Sequence, residues 1–445
     1  MPPDPLQQLL AALAAREDVE VPTTTLGRLR RTAAAGARAG LGALAGRLRG
    51  EALALGGLSP QAVAGLVESL GELKGVAMKV GQILSHVDGS LDPQARALLA
   101  VLQRHAQPTP FSAIERTLRE DLGPRAEAVL ATLERVPAAT ASIGQVHRAR
   151  REDGTPVAVK VRHPGIDAAI RADFKVAAVG TLLARTLAPG IDVQQFLVEA
   201  QARFLEECDY ALEASRQQRF ARLFAGHPHL HIPAVHPDWC GPRVLTTTWV
   251  DGLRLEAFLA SAPPAAARER ASRALYEFYL GALYRHGLFN ADPHPGNLLL
   301  GPGGDVTVLD HGCVREFEPE VVAALVALAR AVRRDEPRPI QDALTALGAA
   351  DATRDFDVTR GLLRGFYAPL LVPGRHAIPA DRAVALGETA SLKKRILRLR
   401  LPARLMFLFR IRFGLYAVLA QLGAELDWAA LEDELAQPAP ARALD

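Results

Sequence analysis

Two acidic side chains and one amide follow one another at a spacing that suits the handling of phosphate groups. In the segment FNADPHPGNLLL, Asp292 precedes Asn297 by five residues, and Asp310 ends a β-type run thirteen residues further on. Phosphoryl transfer requires a divalent cation held by oxygen ligands and an acceptor turned towards the phosphoryl group. We expect Asn297 and Asp310 to hold the cation and Asp292 to orient or deprotonate the acceptor. Each residue alone would be read as a turn residue or a strand cap, and their joint spacing favours the functional interpretation.

A lysine upstream could contact phosphate. Lys160 lies in the run TPVAVKVR, among small and β-branched residues, where a cation is costly unless it is paired or meets a ligand. A kinase-type lysine at such a position contacts the α- and β-phosphates and pairs with a glutamate from a helix. Glu213, in ECDYALEAS, is the candidate partner. The alternative is an edge-strand lysine that faces solvent.

The segment PAATASIGQVHRA, just before that strand, is a candidate for the loop over the phosphates. Kinases place a Gly-rich loop there, so that backbone amides approach the phosphates. Alanine is less free than glycine to adopt positive φ, and we therefore expect a stiffer loop here. An ordinary β-turn is the alternative. Alanine stands at Ala138, Ala139 and Ala141, and Gly144 is kept. A GxxxxGK[ST] P-loop does not occur, which argues against that class of NTPase.

The elements that must position these residues fall into a small β-rich part and a larger helical part. Short β-type runs with one helix are followed by mainly helical sequence whose loops hold the acidic residues. The pattern predicts an α+β, bilobal fold with a nucleotide in the cleft between the lobes, an arrangement that resembles the protein-kinase-like fold. The predicted divisions are a basic helical segment (1–60), a helical extension (61–125), a β-rich N-lobe (126–252) and a helical C-lobe with C-terminal helices (253–445).

Composition restricts the class of protein. The chain has 445 residues, of which 49% are hydrophobic and 23% charged, as in ordinary folded proteins. A net charge of +3 is too small to argue for nucleic-acid binding. Three separated cysteines without a CxxC pair argue against a disulfide scaffold or structural zinc. With neither a signal-peptide pattern nor 18 consecutive apolar residues, we expect a cytoplasmic protein, or one bound peripherally to the inner face of a membrane.

Two segments combine many basic residues with alanine, leucine or phenylalanine. The first spans residues 28–49 and the second, SLKKRILRLRLPARLMFLFRIRF, spans 391–413. Arginine interleaved with apolar residues is typical of a helix that lies on an anionic membrane. The alternative is a solvated helix face that packs on the C-lobe.

Taken together, these residues resemble the AarF/UbiB family of atypical kinases, which is associated with ubiquinone and isoprenoid-lipid metabolism. The resemblance runs from about residue 66 to 314, over half of the chain. KVGQ at 79–82 resembles the family's KxGQ signature, and the alanine-rich loop resembles its replacement for the glycine loop. The other matching positions are the loop residues Ala138 to Ser142, the strand lysine Lys160, the ExD acids Glu207 and Asp209, the helix glutamate Glu213, the catalytic-loop pair Asp292 and Asn297, and the metal aspartate Asp310.

The resemblance implies ATP and Mg²⁺ as cofactors and an unusual active site. In the family the KxGQ helix folds over the cleft where a protein substrate would dock. Carried over, Lys79 would pair with Glu207 or Asp209, and Gln82 would lie near the phosphates. Backbone groups of the linking segment, at Thr248 and Val250, would contact adenine. Such an arrangement disfavours peptide substrates and implies a lipid or quinone-like ligand, or plain ATP hydrolysis.

After Asp310 the sequence departs from the usual kinase pattern, because His311 replaces the phenylalanine of DFG. We therefore expect the packing behind Asp310 to differ.

Two other functions fit the loop that contains Asp292 and Asn297. One is a small-molecule phosphotransferase of the aminoglycoside or choline kinase type, which shares a DxHxxN-like loop. The other is a pseudokinase that senses nucleotide without turnover. The sequence leaves the oligomeric state open.

Overall fold

The computed structural model describes residues 109–141, 143–171, 174, 201–202, 204–349, 356–379 and 403–437. The chain divides into two compact units. The first comprises residues up to 211 together with 236–247, and the second comprises 212–235 and 248–445. Each unit has its own cluster of buried hydrophobic side chains.

A four-stranded sheet dominates the described part of the first unit, with its strands in the order β1 (Ala139–Thr140), β2 (Gly144–Arg150), β3 (Pro156–Arg162) and β5 (Val244–Thr248). Strands β2 and β3 pair antiparallel, with Lys160 opposite Val146. Valines alternate with less buried residues along β3 and pack against helix α1, as expected for a sheet with one covered face. The helices of this unit within the described residues include α1 (Phe111–Leu122) and α2 (Ala126–Leu130).

The second unit is mainly helical, with two small groups of strands that carry the acidic loops. Strand β6 pairs antiparallel with β9, and β7 pairs antiparallel with β8, which also pairs parallel with β4. A π-helical turn, Glu277–Gly281, joins helices α5 and α6. The strands are β4 (Leu230–His231), β6 (Leu288–Asn290), β7 (Leu298–Leu300), β8 (Val306–Val308) and β9 (Val314–Glu316).

The helices of this unit enclose its hydrophobic core. Helix α3 (Tyr210–Leu223) begins in the first unit and contributes the buried Phe220 to the core of the second. The others are α4 (Leu255–Ala260), α5 (Ala265–Tyr276), α6 (Ala282–His286), α7 (Pro319–Arg334), α8 (Pro337–Ala346), α9 (Phe356–Phe366), α10 (Ala403–Leu422) and α11 (Trp428–Leu435).

The second basic segment extends into helix α10, where Arg412 is buried and does not face outwards. Its side chain is 4% exposed and pairs with Glu432. Arg412 is therefore excluded from a membrane-binding surface, whereas residues 28–49 and 391–402 lie outside the described residues. Within the described ranges, the helices are too short or too polar to cross a bilayer.

The predicted α+β class, with a β-rich part followed by a helical part, is confirmed. The helical extension is described only from residue 109 onwards, where α1 and α2 are found. The predicted divisions at 60, 125 and 252 stay predictions.

Candidate active site

The loop after strand β6 holds Asp292 and Asn297 together. The Asn297 side-chain amide donates a hydrogen bond of 2.8 Å to Asp292 Oδ2. Between them, the Gly296 N–H donates to His294 Nδ1 at 2.9 Å and a 3-10 turn, Pro295–Asn297, follows. Because the Asn297 nitrogen is used on Asp292, its amide oxygen is the atom left to act as a ligand.

A buried asparagine that sequence reasoning missed connects this loop to the backbone of Asp310. Asn290, at the end of β6, is 1% exposed. Its side-chain oxygen accepts from the Asp292 N–H at 3.0 Å, and its side-chain amide donates to the Asp310 carbonyl at 2.9 Å. The first bond is an Asx-type contact two residues along the chain, which was a possible sequence signal. The second depends on tertiary structure.

Strand pairing brings the Asp310 segment beside the same loop. The Leu309 N–H donates to the Asn297 carbonyl at 2.9 Å, immediately after the β7–β8 pair. Asp310 then turns the chain, because its Oδ1 accepts from the Gly312 N–H at 2.9 Å. The predicted pair of loops is thus joined at two points, one in the backbone and one through Asn290.

Tyr279, in the π-helical turn, bonds the backbone of Asp292. Its hydroxyl is buried and donates to the Asp292 carbonyl at 3.3 Å. Burial raises the pKa of Tyr279 well above its ordinary value, and the negative charges of Asp292 and Asp310 raise it further. Both charges thus act in the same direction on the Tyr279 hydroxyl. π-Helical turns are frequent at functional sites.

Glu213, on helix α3, lies beside the segment that follows Asp310. It is 1% exposed. A Cβ placed on Gly312 would lie 3.6 Å from Glu213 Oε2 and 3.3 Å from Asp310 Oδ1. The two carboxylates thus flank a glycine that has no side chain to separate them. Lys160 belongs to the other unit, and its pairing with Glu213 stays a prediction.

One turn further along α3, Arg216 binds the backbone of that segment. Its guanidinium donates to the Gly312 carbonyl at 2.8 Å and to the Val314 carbonyl at 3.3 Å. Sequence reasoning missed Arg216, although its spacing from Glu213 places both on one helix face. Helix α3 therefore holds the backbone after Asp310 through a charged donor.

His311 takes the position of the kinase phenylalanine and packs as an aromatic ring. It is fully buried, with its ring centroid 5.2 Å from Phe220 and 6.1 Å from Phe278. Both distances lie in the range of favourable aromatic pairs. The predicted difference in packing behind Asp310 is thus a change of ring type within an aromatic cluster.

In the first unit, Lys160 lies in a regular strand between the buried Val159 and Val161. Its Nζ is 4.8 Å from the ring centroid of Tyr210, a distance that suits a cation–π contact. The alternative of an isolated lysine directed into solvent does not describe this side chain.

The alanine-rich segment forms a short strand and a tight turn. Ala139 pairs opposite Val146, and the Ala141 N–H donates to the Gly144 carbonyl at 2.7 Å. Gly144 has a steric reason to be glycine, since a Cβ there would lie 2.5 Å from Tyr210 Oη and 2.6 Å from the Val161 carbonyl oxygen. The Ala138 N–H donates to the Val146 carbonyl, and Ser142 lies outside the described residues.

The remaining predicted residues are placed as follows. Glu207 is half-buried and Asp209 exposed in the first unit. In the second unit, the Thr248 N–H donates to the Ala234 carbonyl at 2.8 Å, and Val250 follows in a loop. Lys79 and Gln82 lie outside the described residues. Their predicted roles stay predictions.

The site has the donor set of an oxygen-liganded cation. Asp310 carries a carboxylate and Asn297 an amide oxygen, and the Asp292 carboxylate lies beside Asn297. Carboxylate and amide oxygens are the ligand types that Mg²⁺ prefers. Among the described residues, His, Cys, Asp and Glu do not form groups of three placed to hold a metal ion. The candidate site is not a group of this kind, because Asn297, one of its candidate ligands, is an amide.

Comparison with known proteins identifies the family of the chain. The family model of the ABC1 atypical kinase-like domain matches residues 101–343. A solved structure of the Rv3197–erythromycin complex from Mycobacterium tuberculosis is 30% identical, with a TM-score of 0.59, and the match covers 85% of this chain and 97% of that one.

Curated relatives match over parts of their length. The chain is similar to the atypical kinase COQ8B, mitochondrial, of Rattus norvegicus, at 32% identity over 70% of this chain and 61% of the relative. It is also similar to AarF domain-containing protein kinase 1 of Xenopus laevis, at 29% identity over 54% of this chain and 47% of the relative. The chain thus spans about half to three-fifths of these relatives. Since the family model covers more than half of the chain, this protein belongs to the ABC1 (AarF/UbiB) family of atypical kinase-like proteins.

Proposed function

We propose that this protein binds ATP with Mg²⁺ and transfers or hydrolyses the terminal phosphoryl group, as an atypical kinase or ATPase. The observation that carries the proposal is the joined pair of loops, in which Asn290 bonds both the Asp292 N–H and the Asp310 carbonyl. The family to which the chain belongs supports it.

Asn297 and Asp310 are the proposed ligands of the cation, because they offer an amide oxygen and a carboxylate on adjoining backbone. A bound Mg²⁺ would supply neutralisation of the negative charge that develops on the phosphates. The residues of the chain do the rest. Tyr279 and Asn290 fix the backbone of Asp292 from its carbonyl and its N–H.

Asp292 is the proposed group that orients or deprotonates the acceptor. One of its oxygens accepts from the Asn297 amide, and this bond fixes the rotation of the carboxylate. The other oxygen can then accept a hydrogen bond from an acceptor hydroxyl or from water. The same residue thus serves a kinase or an ATPase, and the acceptor decides between them.

The proposed acceptor or regulator is an isoprenoid-lipid or quinone-like compound, and not a protein. This part of the proposal rests on the resemblance to the AarF/UbiB family at KVGQ and the alanine-rich loop. Membrane association through the basic residues 391–402 is part of the same proposal, without Arg412, because Arg412 is buried.

The test is Mg²⁺-dependent ATP turnover by wild type, Asp310→Asn and Asp305→Asn. Asp310→Asn keeps the shape of the side chain and can still accept from the Gly312 N–H, and we expect turnover to fall about 100-fold or more. Asp305, 42% exposed and bonded to His229, is the matched control, and Asp305→Asn should keep wild-type turnover. Equal turnover in all three proteins would remove the metal assignment.

The acceptor is tested by adding anionic liposomes, quinone-like compounds or soluble alcohols to the same assay. Stimulation by liposomes or quinones supports the proposed function. Strong turnover with soluble alcohols instead favours a small-molecule phosphotransferase, and tight ATP binding without turnover under any condition favours a pseudokinase. Erythromycin, bound in the related M. tuberculosis structure, is a further compound for this assay.

A further inference from the structure

Helix α10 lies close to the loop of Asp292 at Gly414. A Cβ built on Gly414 would lie 2.7 Å from Cγ of Pro293, and 3.7 Å and 3.8 Å from its Cβ and Cδ. Real Cβ atoms essentially never approach within 3.0 Å. Pro293 directly follows Asp292 in the chain. The helix backbone can therefore lie against the proline ring only where the side chain is absent.

A buried charged network holds this part of helix α10 in place. Arg412, two residues before Gly414, donates from Nε to Tyr416 Oη at 2.7 Å and from Nη2 to Glu432 at 2.5 Å. Its remaining bonds reach the hydroxyls of Tyr284 and Tyr276, each at 3.2 Å. A buried guanidinium with all these partners fixes the helix strongly, since moving it would leave a charge without compensation.

The same network leads to the other side of the Asp292 loop. Tyr276 ends helix α5 and directly precedes the π-helical turn that contains Tyr279. Tyr279 donates to the Asp292 carbonyl, while the Pro293 ring rests on Gly414. The loop is thus contacted by two elements that Arg412 connects through Tyr276.

We propose that Gly414 is a positioning residue for Asp292, and that helix α10 is thereby a part of the catalytic machinery. The close approach of its backbone to Pro293 sets the position of the Asp292 carboxylate. The effect on turnover rests on the proposed function of Asp292. The effect on the loop does not, because it follows from the contact alone.

The experiment compares Gly414→Ala with Gly361→Ala. Gly361 lies in helix α9, and a Cβ there meets nothing within 4 Å. Both substitutions raise helix propensity to a similar degree, so a general effect on helices would appear in both. The Gly414 variant alone should place a methyl group against Pro293.

The first readout is amide hydrogen exchange in the peptide covering residues 291–300. We expect exchange there to be about tenfold faster in Gly414→Ala than in wild type, and unchanged in Gly361→Ala. The second readout is ATP turnover, in which Gly414→Ala should lower kcat by about 10- to 100-fold, with KM for ATP within about twofold. A residue that served stability alone would not produce this division between kcat and KM.

A second variant, Pro293→Ala, tests the same contact even if Gly414→Ala folds poorly. Pro293→Ala removes Cγ, the atom at 2.7 Å, and leaves Cβ at an ordinary contact distance of 3.7 Å. In the Pro293→Ala background, Gly414→Ala should therefore add no further change in exchange, folding or kcat.

Unchanged exchange at 291–300 in Gly414→Ala, or the same change in both backgrounds, overturns the inference. A wild-type protein that neither binds nor turns over ATP would instead overturn the proposed function, and the exchange readout would still decide the role of Gly414.

Discussion

The acidic loops of the second unit and the lysine strand of the first unit are held in different ways. Asp292 and Asp310 stand in irregular backbone that is fixed by side chains, because Asn290, Tyr279 and Arg216 all bond main-chain groups of these loops. Lys160 stands in a strand whose position follows from backbone pairing along β2 and β3. Removing a single polar side chain should therefore lower turnover and stability far more in the second unit than around Lys160.

Loss of Asn290 is expected to have the largest effect. Asn290→Ala removes the two side-chain bonds of Asn290, so that the half-buried Asp292 N–H and Asp310 carbonyl lose that partner, while the backbone bond from Leu309 to Asn297 remains. We expect ATP turnover to fall about 100-fold and the free energy of unfolding to fall by about 2–3 kcal/mol. Turnover assays and urea unfolding measure the two effects.

Ser272→Ala is the control for Asn290→Ala. It removes a buried hydroxyl on helix α5 that makes no hydrogen bond within the described part of the chain, so turnover should stay at the wild-type value. Wild-type turnover in Asn290→Ala would contradict the account of the acidic loops.

Arg216 and Arg219 offer a comparison within one helix. Arg216 donates to two carbonyls after Asp310, whereas Arg219 pairs at 2.7 Å with Glu316, and both members of that pair are well exposed (44% and 69%). Arg216→Met should cost about 1–3 kcal/mol of unfolding free energy and lower turnover about tenfold. Arg219→Met should cost under about 1 kcal/mol and leave turnover unchanged. Equal effects on turnover would show that Arg216 does not position the Asp310 segment.

The smallest expected effect lies in the first unit and depends on pH. His147 is fully buried, with Nδ1 bonded to the Glu134 carbonyl at 2.7 Å and Nε2 to the Gln145 side chain at 2.8 Å. Burial lowers the pKa of His147 below its ordinary value, although the bond to Glu134 acts in the opposite direction. The folded protein therefore binds fewer protons than the unfolded chain in this range.

The sign of the pH effect follows from that difference. As pH falls below about 6.5, the unfolded chain takes up a proton at His147 before the folded protein does, and stability falls by up to about 1.4 kcal/mol per pH unit until the folded pKa is reached. Urea unfolding at pH 7.5 and 5.5 measures the loss. His147→Gln should reduce the difference in unfolding free energy between the two pH values. His231→Gln, at an exposed position, should leave that difference unchanged. An unchanged slope in His147→Gln would remove this contribution.

The type and spacing of three residues predicted two neighbouring loops. Asp292, Asn297 and Asp310 could be found because turn residues and a terminal β-run fix their order along the chain, and the structure brings their loops together. The α+β class followed from the change from β-type to helical texture.

The supporting residues could not be predicted, because their partners are remote. Arg216 bonds carbonyls 96 and 98 residues away, and Asn290 bonds one 20 residues away. Arg412 was read as part of a basic surface, yet it is paired with Glu432 and with tyrosines up to 136 residues distant. A local pattern shows the charge of such residues and not their burial.

The most direct test of the account separates the metal role from the acceptor role. Mn²⁺ binding in the presence of a non-hydrolysable ATP analogue is measured by electron paramagnetic resonance in wild type, Asp310→Asn and Asp292→Asn. The account predicts that Asp310→Asn weakens Mn²⁺ binding at least about tenfold, whereas Asp292→Asn keeps binding within about threefold and loses turnover. Mn²⁺ binding as tight in Asp310→Asn as in wild type would contradict it.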